Sequence, residues 1–226
     1  MLLPQLVSAQ HNAAAYFAIG VRSEKAGLID SAEIWYSHSL LADSLFFPAR
    51  LNRAGIRLGR KELAEARQDY LFLIARDSLL AEAWGGLGNI ALIQKHYEQA
   101  RIYLETCLML HPEELSCRRQ LAYTAYFTGN YLRAIQLLKS LYPAESKDAA
   151  VFYLRALCHR QAGFTEAALN DLDTTIQLFP GHTQAYRERI DLSLLKNDFE
   201  SICQDILALI QLNDPQAIEL KKKFCP

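Results

Sequence analysis

Apolar residues recur at intervals of three and four along nearly the whole chain, the spacing of an amphipathic helix. A longer period underlies this. The small residues Gly20, Ala54, Gly88, Ala122 and Ala156 follow one another every 34 residues, and so do Ala32, Ala66, Ala100, Ala134 and Ala168. Two independent ladders at one period mark a repeat architecture. Between the members of each pair lies a break: Ala26-Gly27, Lys61, Lys95, Gly129-Asn130, Gly163. Each unit therefore reads as two helices joined by a short turn.

The span from Ala81 to Glu114 shows the pattern best, with Trp84, Leu87, Gly88, Ala91, Tyr97, Ala100, Leu104 and Pro112. It resembles the tetratricopeptide repeat, whose conserved aromatic, small and proline positions fall at those spacings. Six such units tile the chain, at 13–46, 47–80, 81–114, 115–148, 149–182 and 183–216. The resemblance implies an all-α, right-handed α-solenoid, since each hairpin has an apolar stripe it cannot bury alone. Residues 217–226 place Ala217, Leu220 and Phe224 on one face and Lys221 to Lys223 at the carboxyl end, the composition of a C-terminal capping helix.

The repeat also disposes of a false motif. Gly86-x-Gly88-x-x-Ala91 fits the glycine pattern of a dinucleotide-binding turn, but such a turn follows a strand, and here AEAW opens a helix. Gly88 instead sits where two helices approach closely. Gly55-x-x-x-Gly59-Arg60-Lys61 is one residue short of a phosphate-binding loop and lacks its Ser or Thr.

Composition sharpens the picture. The chain has 226 residues, 51% hydrophobic, with 24 Lys plus Arg against 25 Asp plus Glu. That balance offers no long-range field for nucleic acid, and no apolar run approaches the roughly 20 residues of a membrane span. The opening MLLPQLVSAQ resembles the end of a secretory signal peptide, with Val7 and Ala9 at the small-residue positions, yet the first basic residue is Arg22. Either the true start lies upstream or residues 4–12 lead into the first helix. Of the two compartments, exported or periplasmic is preferred to cytoplasmic.

The seventh and twenty-third positions of successive units pair as Ile19 with Trp35, Arg53 with Asp69, Leu87 with Tyr103, Leu121 with Leu137, Arg155 with Asp171, and Arg189 with Asp205. Where the first is Arg the second is Asp; elsewhere both are apolar or aromatic. Arg53–Asp69, Arg155–Asp171 and Arg189–Asp205 are therefore expected to be ion pairs within their own hairpins. Arg50, Arg57 and Arg60 have no such partner in the pattern and are expected to be solvated or to snorkel.

No C-x-x-C or HExxH occurs, and no two histidines stand three or four apart, so neither a metal nor another cofactor is expected. The histidines are expected mostly at turns or exposed places. No catalytic constellation emerges. Cys203 and Cys225 each lie 11 residues from Asp214, so a hairpin folding there brings the thiols to one level. This resembles a degenerate final repeat with paired cysteines in some exported bacterial proteins of the class; a disulfide and two reduced, packed thiols both stay open. Cys107 and Cys117 are symmetric about Pro112 but occupy places where the family prefers small apolar residues, and plain packing is expected there.

In the family, the first helices of successive units line a groove that holds an extended peptide or a partner's helix. On the positions that face it, the resemblance implies a partner-binding set of Asn89, Arg119, Tyr123, Tyr126, Phe127, Tyr153 and Arg160, aromatics flanked by arginine. The Lys and Asn of the carboxylate clamp for chaperone tails are absent: those places carry Leu51 and Gly55, then Gly85 and Asn89. The expectation is a non-enzymatic scaffold for a protein or peptide. The alternative is a structural subunit of a cell-envelope assembly that meets its partners through the convex face or the ends.

Overall fold

In a computed structural model the described residues are 3–141 and 147–225, with side chains from Asn12 onward. The cleavage-like positions Val7 and Ala9, and His11, lie outside the described side chains. Thirteen helices and no strand are present among the described residues. They are α1 (Leu3–Lys25), α2 (Ile29–Ala42), α3 (Phe47–Gly59), α4 (Leu63–Ile74), α5 (Ala81–Ile93), α6 (Tyr97–Leu110), α7 (Leu115–Phe127), α8 (Tyr131–Lys139), α9 (Ala149–Gln161), α10 (Thr165–Leu178), α11 (Thr183–Lys196), α12 (Phe199–Gln211) and α13 (Ala217–Phe224). Residues 3–12 continue α1 without a break. Two compact units, up to Gln120 and from Leu121, divide the chain within α7.

What turns each first helix back onto its second is one residue in the left-handed region. Gly27, Lys61, Lys95, Gly129, Gly163 and Asn197 all have φ between 57° and 80°, and they too recur every 34 residues. The residue after each donates its N–H back to the carbonyl five residues earlier, as in His96 to Ala91 (2.8 Å) and Asp198 to Ser193 (3.0 Å). This closes the orphan carbonyls of the helix end in a Schellman-type cap. Side chains cap several N-termini: Asn130, Asp148, His182 and Asp198 accept from Arg133, Ala150, Ala185 and Ser201 backbone N–H groups.

The small-residue ladders are the contact lines. Ala32, Ala66 and Ala100 in the first unit, and Ala134 and Ala168 in the second, are wholly buried. A Cβ on Gly88 would lie 2.6 Å from Leu104 Cδ2, and one on Gly20 2.6 Å from the Tyr36 ring. In the same AWGGLG stretch a Cβ on Gly86 would run into the Tyr70 ring, so the glycines are the room that large side chains of neighbouring helices occupy. The first unit's core holds Tyr36, Tyr70, Leu73, Leu87, Ile90 and Leu104; the second's holds Leu138, Leu172, Ile190, Ile202, Ile206 and Leu209.

Candidate partner-binding face

Three buried aspartates tie hairpins together. Asp69 on α4 takes both oxygens of a fork from Arg53 on α3, Nε to Oδ2 at 2.9 Å and Nη2 to Oδ1 at 2.7 Å. Asp171 takes the same fork from Arg155 (2.9 and 2.5 Å), and Asp205 from Arg189, whose Nε lies 2.9 Å from Oδ2. These bonds hold the Arg155 and Arg189 guanidinium groups above the ordinary arginine range, hydrogen bonding to the carboxylate outweighing burial.

The remaining arginines, on α3 and at its C-cap, are a correction. Arg50 and Arg57 are not solvated: each also donates to Asp69 at 3.0 Å, and Arg57 Nε reaches Glu33 on α2 at 2.8 Å. Arg60 bonds Glu33 at 2.5 Å and also Asp30. A carboxylate has four lone-pair sites, so one buried Asp can serve three guanidinium groups. Glu33 and Asp30 lie in the preceding hairpin, where a comparison within units does not look. The guanidinium groups of Arg50 and Arg76 also lie 3.6 and 3.5 Å from the centre of the Phe72 ring. His159 departs from the expectation as well: it is half-buried on α9, and its Nδ1 is 2.9 Å from Asp171 Oδ2.

Cys107 and Cys117 are a second correction, because a disulfide joins them across the α6–α7 turn with Cα atoms 6.5 Å apart. Places that favour small residues are those where backbones come closest, which is also what a bridge requires. A Cβ on Gly85 would lie 2.7 Å from Cys117 Sγ, so that glycine makes room for the bridge. A second disulfide, Cys203–Cys225, fastens the end of α13 to α12 with Cα atoms 5.7 Å apart. Cys158 is free and buried, and burial pushes its thiol up to about 12.

The second unit gathers aromatic and charged groups on α7, α9 and α11. Tyr126 is half-buried, its ring 5.3 Å from that of Phe127 in an edge contact and 5.9 Å from Tyr131. Phe127 is 53% exposed. Tyr153 on α9 packs against His182 with ring centres 4.4 Å apart. Burial pushes the Tyr153 hydroxyl up to about 12 and raises that of Tyr126; at both, the charge of Glu188 adds to the rise and that of Arg160 opposes it. Arg160 donates to Glu188 and, at 3.3 Å, to Asp191 of α11. Sequence reasoning missed these two acids. The available signal was that they stand 28 and 31 residues beyond Arg160, on the next first helix. Tyr123 lies half-buried on α7, one turn after the half-buried Arg119. Asn89, half-buried on α5, belongs to the first unit.

Among the described residues no cluster of His, Cys, Asp and Glu could hold a metal ion, and no helix is long and apolar enough to cross a membrane.

Comparison with known proteins places this geometry. The family model of the tetratricopeptide repeat matches residues 91–158. No curated protein matches. Pseudomonas aeruginosa pilF superposes with a TM-score of 0.78 at 19% identity, covering 96% of this chain and 98% of that one. YrrB, described as a TPR protein with an unusual peptide-binding site, gives 0.70 at 20% identity over 83% of this chain and 97% of its own. MamA from Desulfovibrio magneticus RS-1 gives 0.66 at 16% identity over 80% and 97%. With the 34-residue ladders, the recurring left-handed turns and the paired helices already in view, the match identifies residues 91–158 as tetratricopeptide repeat, within a chain of all-α repeat fold.

Proposed function

We propose that the protein is a non-enzymatic interaction scaffold, and that it holds an extended peptide or partner segment on the α7–α9–α11 face of its second unit. The observation that carries this is the grouping of Tyr126, Phe127 and Tyr153 beside the Arg160–Glu188 pair. Large rings with polar tips give contact area at low entropic cost, and the ion pair offers a donor and an acceptor to a peptide backbone. YrrB, of like fold, is described as having a peptide-binding site, which supports the reading. The two disulfides support an oxidising, exported setting.

A second reading, a structural subunit that docks through its second helices, is favoured by one observation. Ile34 and Leu41 on α2 and Ile102 and Met109 on α6 occupy the same two places of their units and are all more than half exposed. Selection of a displayed random-peptide library on the full chain separates the two. Under the first reading, Tyr126→Ala with Tyr153→Ala weakens the enriched peptides by about tenfold or more, a hot-spot loss. Ile102→Ser with Met109→Ser should leave them unchanged. The reverse pattern would transfer the function to the second helices.

A further inference from the structure

In each hairpin that carries the Arg–Asp fork, the residue one helical turn after the arginine stands beside the aspartate. In α3–α4 it is Arg57, whose Nη1 donates to Asp69 Oδ2 at 3.0 Å. In α9–α10 it is His159, whose Nδ1 lies 2.9 Å from Asp171 Oδ2. In α11–α12 it is Ser193. The matching oxygen, Asp205 Oδ2, receives only Arg189 Nε among the described residues, at 2.9 Å. No side chain of this hairpin supplies the second basic nitrogen that the other two provide.

A cleft of about 200 Å³ opens at that place, between α10, α11 and α12. It is smaller than the roughly 300–1,000 Å³ of sites for drug-sized ligands and suits a small head group. Between α4, α5 and α6 the same two positions hold Ala91 and Tyr103, and the space left there is about 20 Å³. Ser193 lines the larger cleft, is 3% exposed, and has no hydrogen-bond partner for its hydroxyl among the described residues. A buried hydroxyl in that state is costly, and the cleft is where a partner for it can enter. The lining is acidic: Asp173, Asp198 and Asp205 stand against Arg189 as the one cation. Arg189 Nη1 bonds Asp173 Oδ1 at 2.5 Å, and Asp198 caps α12 by accepting from the Ser201 N–H and hydroxyl. Asp173 Oδ2 has no partner among the described residues. Lys196, at the end of α11, is held by Glu166 at 2.8 Å. Burial raises the Asp205 carboxyl above its ordinary range; the fork from Arg189 opposes the rise, and the charges of Asp173 and Asp198 add to it.

We propose that this cleft binds a guanidinium group, which donates to Asp205 Oδ2 and Asp173 Oδ2 and has Ser193 Oγ as a further acceptor. The molecule itself shows the arrangement, since Arg53 and Arg57 share Asp69 in α3–α4. A planar fork reaches two acceptors at once and is less strongly hydrated than an ammonium, so it leaves water more readily for a half-closed site. The group arrives on a free small cation or on an arginine of a partner; the chemistry is shared, and the test separates the sources. The site uses no residue of the α7–α9–α11 face, and either reading can fail alone.

The test is a heteronuclear NMR titration of the full, oxidised chain at low salt with ethylguanidinium. Saturable shifts should appear at Ser193, Ser201 and Asp205, with a Kd of about 1 mM or tighter. N-ethylurea, of like shape without the charge, should bind at least about fivefold more weakly, and ethylammonium more weakly than ethylguanidinium. Asp173→Asn should weaken ethylguanidinium about fivefold, what one exposed ion pair supplies at best, and Ser193→Ala about threefold. Ser193→His, which gives α11–α12 the residue of α9–α10, should abolish the binding. Tyr126→Ala with Tyr153→Ala should leave it unchanged. No saturable shift up to about 10 mM, equal binding of N-ethylurea or ethylammonium, or indifference to both Asp173→Asn and Ser193→Ala would overturn the proposal. N-acetylarginine N-methylamide distinguishes the sources: binding tighter than that of ethylguanidinium supports an arginine of a partner, and weaker binding supports a free cation.

Discussion

The α3–α4 and α5–α6 hairpins are built on one 34-residue template, yet they fill the same contact in opposite ways. In α3–α4 it is Arg53 against Asp69, with Arg50 and Arg57 drawn onto the same carboxylate. In α5–α6 it is Leu87, 1% exposed, in a cluster that includes Tyr103, whose ring lies 5.7 Å from Trp84. Backbone geometry therefore does not require either chemistry. What differs is tolerance. An apolar contact loses in proportion to the area removed, whereas a buried carboxylate serving three guanidinium groups fails at once when it is removed.

The largest effect is accordingly expected from Asp69→Ala, which takes the shared carboxylate from three partly buried arginines and leaves only Arg57 another, Glu33. Urea unfolding should show a loss of about 3–5 kcal/mol, and a larger one than Arg53→Ala, which leaves Arg50 and Arg57 to satisfy the aspartate. Equal losses from the two variants would mean that Arg50 and Arg57 contribute nothing at Asp69. Next comes a feature that α5–α6 has and α3–α4 lacks, the covalent tie to α7. Replacing Cys107 and Cys117 together by Ser opens a loop of ten residues and should cost about 3 kcal/mol by the chain-entropy relation. An unchanged midpoint would show that the unit is held by packing alone.

The third prediction exchanges one chemistry for the other. Arg155 and Asp171 serve for it, since among the described residues only His159 shares the aspartate. Arg155→Leu and Asp171→Tyr should each be costly. The double variant reproduces the solution of α5–α6 and should recover most of the loss, giving a coupling of about 1–3 kcal/mol in the cycle. Additive losses would show that the contact is not exchangeable.

Much of this was legible in the sequence, and the comparison shows why the rest was not. The ladders of small residues and the seventh–twenty-third pairing are properties of a single hairpin, and a period reveals them. Glu33, which holds Arg57 and Arg60, and Glu188 and Asp191, which hold Arg160, act between hairpins. Their partners are fixed by how neighbouring hairpins stack, and that register leaves no mark within one unit. The Cys107–Cys117 bridge was hidden differently. A position that prefers a small residue is satisfied by cysteine whether or not it is bridged, so composition at that place cannot tell the two apart. The face of α7, α9 and α11 was visible as a set of aromatic positions, but the acids that engage Arg160 were not.

The smallest expected effect is the most discriminating test of the shared template. Both hairpins turn through a lysine in the left-handed region, Lys61 with φ of 64° in α3–α4 and Lys95 with φ of 61° in α5–α6. A side chain there meets the following carbonyl and costs about 1–2 kcal/mol, which glycine avoids. Glycine gives back part of that gain through the greater freedom of the unfolded chain, about 0.5–1 kcal/mol. The net gain should be about 0.5–1 kcal/mol for Lys61→Gly and for Lys95→Gly alike. The turn closes on backbone hydrogen bonds only, Glu62 N–H to the Arg57 carbonyl and His96 N–H to the Ala91 carbonyl, at 2.9 and 2.8 Å. Nothing in that closure depends on whether the contact deeper in the hairpin is an ion pair or a leucine against a tyrosine. The two gains should therefore be equal, and additive in the double variant. Unequal gains would show that the Arg–Asp network strains its own turn, and that the two hairpins differ in backbone as well as in side chains.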